Sequence, residues 1–172
     1  MRSLIRVVLL TALATSALST VACGSSDPPG DEPVVDPALA DVVFEGDASP
    51  AALEALLAAM AKSDPTRGAV IDSPPNDALL DPGAVTTFQW HPLGAAAGQR
   101  YFLVFSTHAD PKLLRVFTSK TSYTPDDEAW TTLRSVAIWT TLTTLSATFA
   151  GDELAPGSGP FQGAPIEFCI ER

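Results

Sequence analysis

With 172 residues, 46% of them hydrophobic and 17% charged, the chain can form one domain with a real core and is not disordered as a whole. Its 20 acidic and 10 basic side chains give a formal charge of −10. Such a surface repels phosphate backbones, so nucleic acid is not expected as a partner, and it offers no basic face to anionic lipid.

Residues 1–22 have the three parts of an export leader. Arg2 and Arg6 make its start positive, and residues 7–18 are apolar. That run is about a dozen residues, too short to cross roughly 30 Å of hydrocarbon as a helix. No later stretch reaches about 18 uninterrupted apolar residues, so no transmembrane helix is expected. Loss of the leader would move the charge from −10 to −12, because it carries Arg2 and Arg6 and no acid. Leu18-Ser19-Thr20-Val21-Ala22 then leads into Cys23, and Gly24-Ser25-Ser26 follows.

Residues 18–23 resemble the lipobox of bacterial lipoproteins. The resemblance implies that Cys23 becomes the first mature residue and carries a diacylglycerol, the site of lipidation and the link to a membrane. Thr20 stands where the family pattern has Leu; Val21 and Ala22 fit. The competing reading is an ordinary cleaved signal peptide with an incidental cysteine. Gly24, rather than Asp, after the cysteine implies the outer membrane under the better-known sorting rule. Cys169 is the only other cysteine, so a disulfide framework is not expected even in an oxidising compartment.

Residues 23–40 read as an acidic, proline-rich tether, with Pro28, Pro29, Pro33 and Pro37 among Asp27, Asp31, Glu32 and Asp36. Its prolines favour an extended chain, and fourteen such residues at about 3.1 Å each reach on the order of 40 Å. The acid spacing matches no calcium loop. Residues 41–68 read as a strand plus a helix. Asp41-Val42-Val43-Phe44-Glu45 is the strand. Ser49 is the expected N-cap, with Pro50 at the first helical position. Leu53, Leu56, Leu57 and Met60 make one amphipathic stripe, and Asp64-Pro65 and Gly68 end the helix.

From residue 69 to 172 the period is that of strands. Phe88 and Trp90 alternate with Thr87 and Gln89. Residues 100–106 are apolar on both faces and should form a central strand. Residues 113–118 form another strand. Thr124, Pro125 and Asp127 form a capping-box variant before a short helical insert, with Trp130 and Leu133 on its packing face. Residues 136–149 put Leu142 and Leu145 on opposite parities. A regular strand cannot send both to one core, so a bulge or break near Thr143-Thr144 is expected. In the last strand Ile166, Phe168 and Ile170 point in, and Glu167, Cys169 and Glu171 point out.

About seven strand-length runs with regular turns argue a mainly β fold, a sandwich carrying one N-terminal amphipathic helix and a short helical insert. Ser73-Pro74-Pro75, Phe88-Gln89-Trp90, Tyr101-Phe102-Leu103-Val104 and Thr121-Ser122-Tyr123-Thr124-Pro125 together resemble the immunoglobulin/fibronectin type III-like modules of bacterial surface proteins. The match covers residues 66 to 172 and lacks a Tyr-x-Trp in the penultimate strand, where Ile138-Trp139 stands. Such modules serve as spacers or binding surfaces.

Chemistry is hard to find in the sequence. His108 and Asp110 could touch a metal, but zinc needs three or four ligands and no third has telling spacing. His91 precedes a proline at a strand end. Ser158 lies in Gly157-Ser158-Gly159-Pro160, with no Gly-x-Ser-x-Gly elbow. Asp126, Asp127 and Glu128 are explained by helix dipole placement. Cys169 reads as an inert thiol. Trp90, Trp130 and Trp139 could form a sugar platform, but core packing accounts for all three. The expectation is therefore a non-catalytic, lipid-anchored envelope lipoprotein acting as an interaction or scaffold module. It is expected to be a monomer, without cofactor or metal, with an envelope protein or glycan as its partner. The rival readings are a carbohydrate- or peptidoglycan-binding module and an envelope hydrolase with an acidic site that no motif marks.

Overall fold

A computed structural model describes residues 39–93, 97–136 and 139–171. The leader, Cys23, residues 24–38 of the tether, Gly94 and Ile138 lie outside the described residues. In chain order the elements are β1 (Val42–Glu45), α1 (Pro50–Ala58), β2 (Lys62–Ser63), β3 (Val70–Ser73), β4 (Ala78–Leu80), β5 (Phe88–His91), β6 (Gln99–Ser106) and β7 (Leu114–Thr118). They are followed by β8 (Ser122–Tyr123), α2 (Asp127–Ser135), β9 (Thr140–Ala150), β10 (Glu153–Leu154), β11 (Phe161–Gln162) and β12 (Ile166–Ile170). The fold is mainly β, with two short helices among the described residues. Neither is long and apolar enough to cross a membrane.

A small sheet runs β3-β5-β8, and a large sheet runs β1-β7-β6-β9-β11-β2. The spine of the large sheet is β9, 11 residues long. Along one edge it pairs with β6 without interruption, from Ser106 opposite Thr141 to Gln99 opposite Thr148. The expected break near Thr143-Thr144 is therefore not in β9. It falls on the strands across its other edge, where Phe161 of β11 faces Ser146 and Ile166 of β12 faces Leu142. Five residue steps on that side match four on β9, so the extra residue sits in the Gly163-Ala164-Pro165 link.

The parity conflict that motivated the break is resolved by a second core. Leu142 of β9 points inward with Leu103 and Phe105 of β6, Leu114 and Val116 of β7, and Phe168 of β12. The small sheet and α2 cover that face with Phe88, Trp90, Tyr123, Trp130 and Leu133. Aromatic edges meet there: the Phe88 ring lies 5.0 Å from Phe105 and 5.4 Å from Phe168, and Trp90 lies 5.6 Å from Tyr101. On the opposite face Ala147 and Phe149 of β9 join Phe102, Phe117, Leu39 and Val42, under Ala52, Leu53 and Leu56 of α1. A strand buried on both sides has no parity to violate.

The N-cap of α1 is Ser49, as expected, and its hydroxyl oxygen accepts from the Ala52 N–H at 3.1 Å. The same hydroxyl donates to Asp152 at 2.6 Å, which ties the helix start to the turn after β9. The expected stripe is only half realised. Leu53 and Leu56 are buried, but Leu57 is 46% and Met60 89% exposed. The helix ends at Ala58, before Met60, because the chain must turn to lay β2 beside β11, where the Lys62 N–H donates to the Pro160 carbonyl at 3.0 Å.

For α2 the structure corrects the cap. The N-cap is Asp126, not Thr124, and the helix starts at Asp127. The Asp126 carboxylate accepts from the Ala129 N–H at 2.8 Å, while the Thr124 hydroxyl pairs with that of Thr87 at 2.9 Å. Asp127 and Glu128 do fall in the first turn. Asp126→Ala is therefore expected to cost about 1 kcal/mol in thermal unfolding, and Thr124→Ala clearly less. A reversed order would return the cap to Thr124.

Candidate functional site

The large sheet is not covered evenly. Its outer face is roofed by α1 over Phe102, Ala147 and Phe149. Toward β12 and β4 the roof stops. Leu79 of β4 faces Cys169 of β12, and Phe168 faces Thr140. Alternation puts Leu79 and Cys169 on the outer face, opposite the inward Leu80, Phe168 and Ile170. Carried one residue past the end of β9, the register sets Trp139 beside Cys169. Leu79 is 62% and Trp139 47% exposed. Half-buried Thr141 and Thr143 and exposed Glu167 continue this face. The result is an open strip with one indole, one leucine, hydroxyls and an acid.

Trp139 was expected in the core. Trp90 and Trp130 are there, 2% and 4% exposed, but Trp139 precedes β9 on the outer face, beyond the stretch around Ala147 and Phe149 that α1 covers. Cys169 is half-buried, and its Sγ lies 3.7 Å from the Ile170 carbonyl. The two histidines sit in separate local settings. His91 Nδ1 lies 2.8 Å from Asp72 across β3 and β5, on an exposed face. His108 is exposed in the turn that Asp110 shapes, where the Thr107 hydroxyl accepts from the Asp110 N–H at 2.9 Å. The Asp110 carboxylate accepts from the Lys112 N–H at 2.9 Å. No group of three or more metal-ligating side chains converges among the described residues. The Ser158 hydroxyl points back into its own loop, 2.6 Å from the Ala155 carbonyl and 2.8 Å from that of Thr148.

Two cavities open where β6 begins, and they share Gln99 as a wall. One, of about 340 Å³, is lined by Arg67, Gln99, Ser146, Thr148 and Phe161 among others. The other, of about 460 Å³, is lined by Tyr101, Ser119 and Thr121 among others. Tyr101 is buried, which pushes its phenol pKa up and keeps it a hydrogen-bond donor. It donates to Gln99 Oε1 at 2.7 Å. The buried Tyr123 is likewise pushed up, first by desolvation and then by the charges of Asp126 and Glu45. None of Arg67, Gln99, Ser146 or Leu79 stands out in the sequence, because none belongs to a local motif.

Compared with family models, curated proteins and solved structures, the chain matches none.

Proposed function

We propose that the protein is a lipid-anchored, non-catalytic binding module of the bacterial envelope. Cys23 carries the lipid, the acidic tether holds the domain off the bilayer, and the outer membrane is the anchoring site. The observation that carries the binding role is the uncovered outer face around Trp139 and Leu79, 47% and 62% exposed. Two large apolar side chains exposed on one face at the end of a well-packed sheet support a contact surface there. The non-catalytic reading is supported by where the acids go: Asp126 caps a helix, Asp110 shapes a turn, and Asp72 holds His91. The finer fold reading is a fibronectin type III-like sandwich. In chain order β3, β5 and β8 take the places of strands A, B and E, and β6, β9 and β12 those of C, F and G. The β3-β5-β8 order and the pairing of β9 with both β6 and β12 support that reading.

Fractionation of cells expressing Cys23→Ala tests the anchor. The native chain is expected in the membrane pellet and the variant in the soluble fraction, because one lipid-bearing residue supplies the attachment. A variant that still pellets like the native chain defeats the reading.

A second reading, a carbohydrate-binding module, is favoured by one observation: the exposed indole of Trp139 lies beside the hydroxyls of Thr141 and Thr143. An aromatic face stacks on pyranose rings while hydroxyls and acids bind the ring substituents. On a glycan array the native chain should bind at least one neutral glycan and Trp139→Ala should lose it. Equal binding by both would remove Trp139 from any glycan site.

A further inference from the structure

The smaller cavity combines features that the anchored-module reading does not use. Arg67, an exposed side chain, stands at its wall and makes two contacts. Its guanidinium carbon lies 3.8 Å from the centroid of the Phe161 ring, and Nη2 donates to the Gly157 carbonyl at 3.1 Å. Stacking on a ring engages the guanidinium face and leaves the remaining N–H edge for an acceptor. Behind Arg67 the backbone is pinned, because Gly68 lies so close to Gly163 that a Cβ would collide with it. The guanidinium is exposed to solvent, and its two contacts, the Phe161 ring and the Gly157 carbonyl, aim it along the cavity wall.

The other polar groups are neutral. Ser146 is 2% exposed and lines the cavity, where its hydroxyl can donate or accept. Gln99 has its Oε1 occupied by Tyr101, which turns the amide NH₂ the other way as a donor. Phe161, Leu93 and Pro156 supply apolar wall, and no acid lines the cavity among the described residues. At about 340 Å³ it lies at the small end of the range for ligand pockets.

The charge of the chain narrows the ligand. A formal charge of −10 repels polyanions, so phosphate esters carrying two or more charges are disfavoured. One carboxylate can be met by one arginine, whose paired N–H groups match its two oxygens. Hydroxyl and amide groups around an apolar wall suit a ring bearing several hydroxyls.

We propose that this cavity is a binding site for a sugar acid, its carboxylate on Arg67 and its hydroxyls on Ser146 and Gln99. The neighbouring cavity, which shares Gln99 and is lined by Tyr101 and Thr121, offers room for a second sugar unit. The site depends neither on the lipid at Cys23 nor on the Trp139 face.

The test is a saturation-transfer NMR titration of the purified full chain in mild detergent with sodium glucuronate, glucose and acetate as probes. Glucuronate should saturate with a dissociation constant on the order of 1 mM, and glucose and acetate should bind about tenfold more weakly. Arg67→Gln should weaken glucuronate about tenfold with an unchanged melting curve, and Trp139→Ala should leave it unchanged. No saturable glucuronate binding overturns the site. Glucose equal to glucuronate, or no loss in Arg67→Gln, overturns the carboxylate contact, and acetate equal to glucuronate overturns the sugar. Loss in Trp139→Ala moves binding to the outer face. Because Cys23 enters none of these measurements, failure here is distinct from failure of the anchor.

Discussion

Phe102→Ala should destabilise the protein by about 3–5 kcal/mol, as much as Phe105→Ala three residues on. The two side chains leave β6 on opposite faces. Phe105 is fully buried against Phe88, Tyr123 and Phe168 on the side of the small sheet. Phe102 is 4% exposed against Phe117, ring centroids 6.4 Å apart, on the side of α1. A sandwich with one core would leave the second face wet, and there a Phe→Ala change would cost only a few tenths of a kcal/mol. Here both removals open a cavity that packed neighbours cannot fill. Denaturant unfolding at constant m-value measures both. A cost for Phe102→Ala below about 1 kcal/mol would mean that α1 does not seal the outer face.

The two-core arrangement also separates what could be read in the sequence from what could not. β5 and β12 were legible because each has one buried face, and the alternation of Phe88 with Gln89 or Phe168 with Glu167 states it directly. β6 was legible as central because Tyr101, Phe102, Leu103 and Phe105 leave no polar side. β9 has the same two-sided burial, but threonines and Ser146 fill its inner face. It therefore read as a strand with a parity conflict. Thr144 is fully buried and donates to the Ala69 carbonyl at 3.4 Å, a long-range partner that no local pattern encodes.

The short strands were illegible for a related reason. β2 and β4 hold two and three residues, and each pairs in parallel with a strand about 90 or more positions later. No periodicity can show in so few residues. The end of α1 and the cap of α2 were misplaced because tertiary pairing decided both: β2 pulled the chain away after Ala58, and Thr87 took the Thr124 hydroxyl. The candidate sites were less legible than the fold. Trp139 is exposed because the roof ends before it, and Arg67 meets Phe161 only through the β2–β11 pairing.

Gly163→Ala should be among the most damaging single changes, at about 3 kcal/mol or more, because the added methyl meets backbone and not a yielding side chain. Gly163 sits in the link where β11 gives way to β12 and the register slips by one residue. Its N–H donates to the Thr144 carbonyl at 3.0 Å. A Cβ there would overlap the Ala69 carbonyl oxygen and stand 2.8 Å from Thr144 Oγ1. Neither can retreat, since Thr144 is held in β9 and Ala69 is 1% exposed between the sheets. Gly157→Ala provides the contrast. Nothing lies within 4 Å of its would-be Cβ, and only its positive φ of 72° resists the change. That should cost about 1–2 kcal/mol. Thermal and denaturant unfolding of the pair would separate close approach from backbone handedness. If Gly163→Ala unfolded at the native midpoint, the tight seam joining residues 68–69, 144 and 163 would not exist. The backbone next to Arg67, which rests on that seam through Gly68, would then lose its anchor.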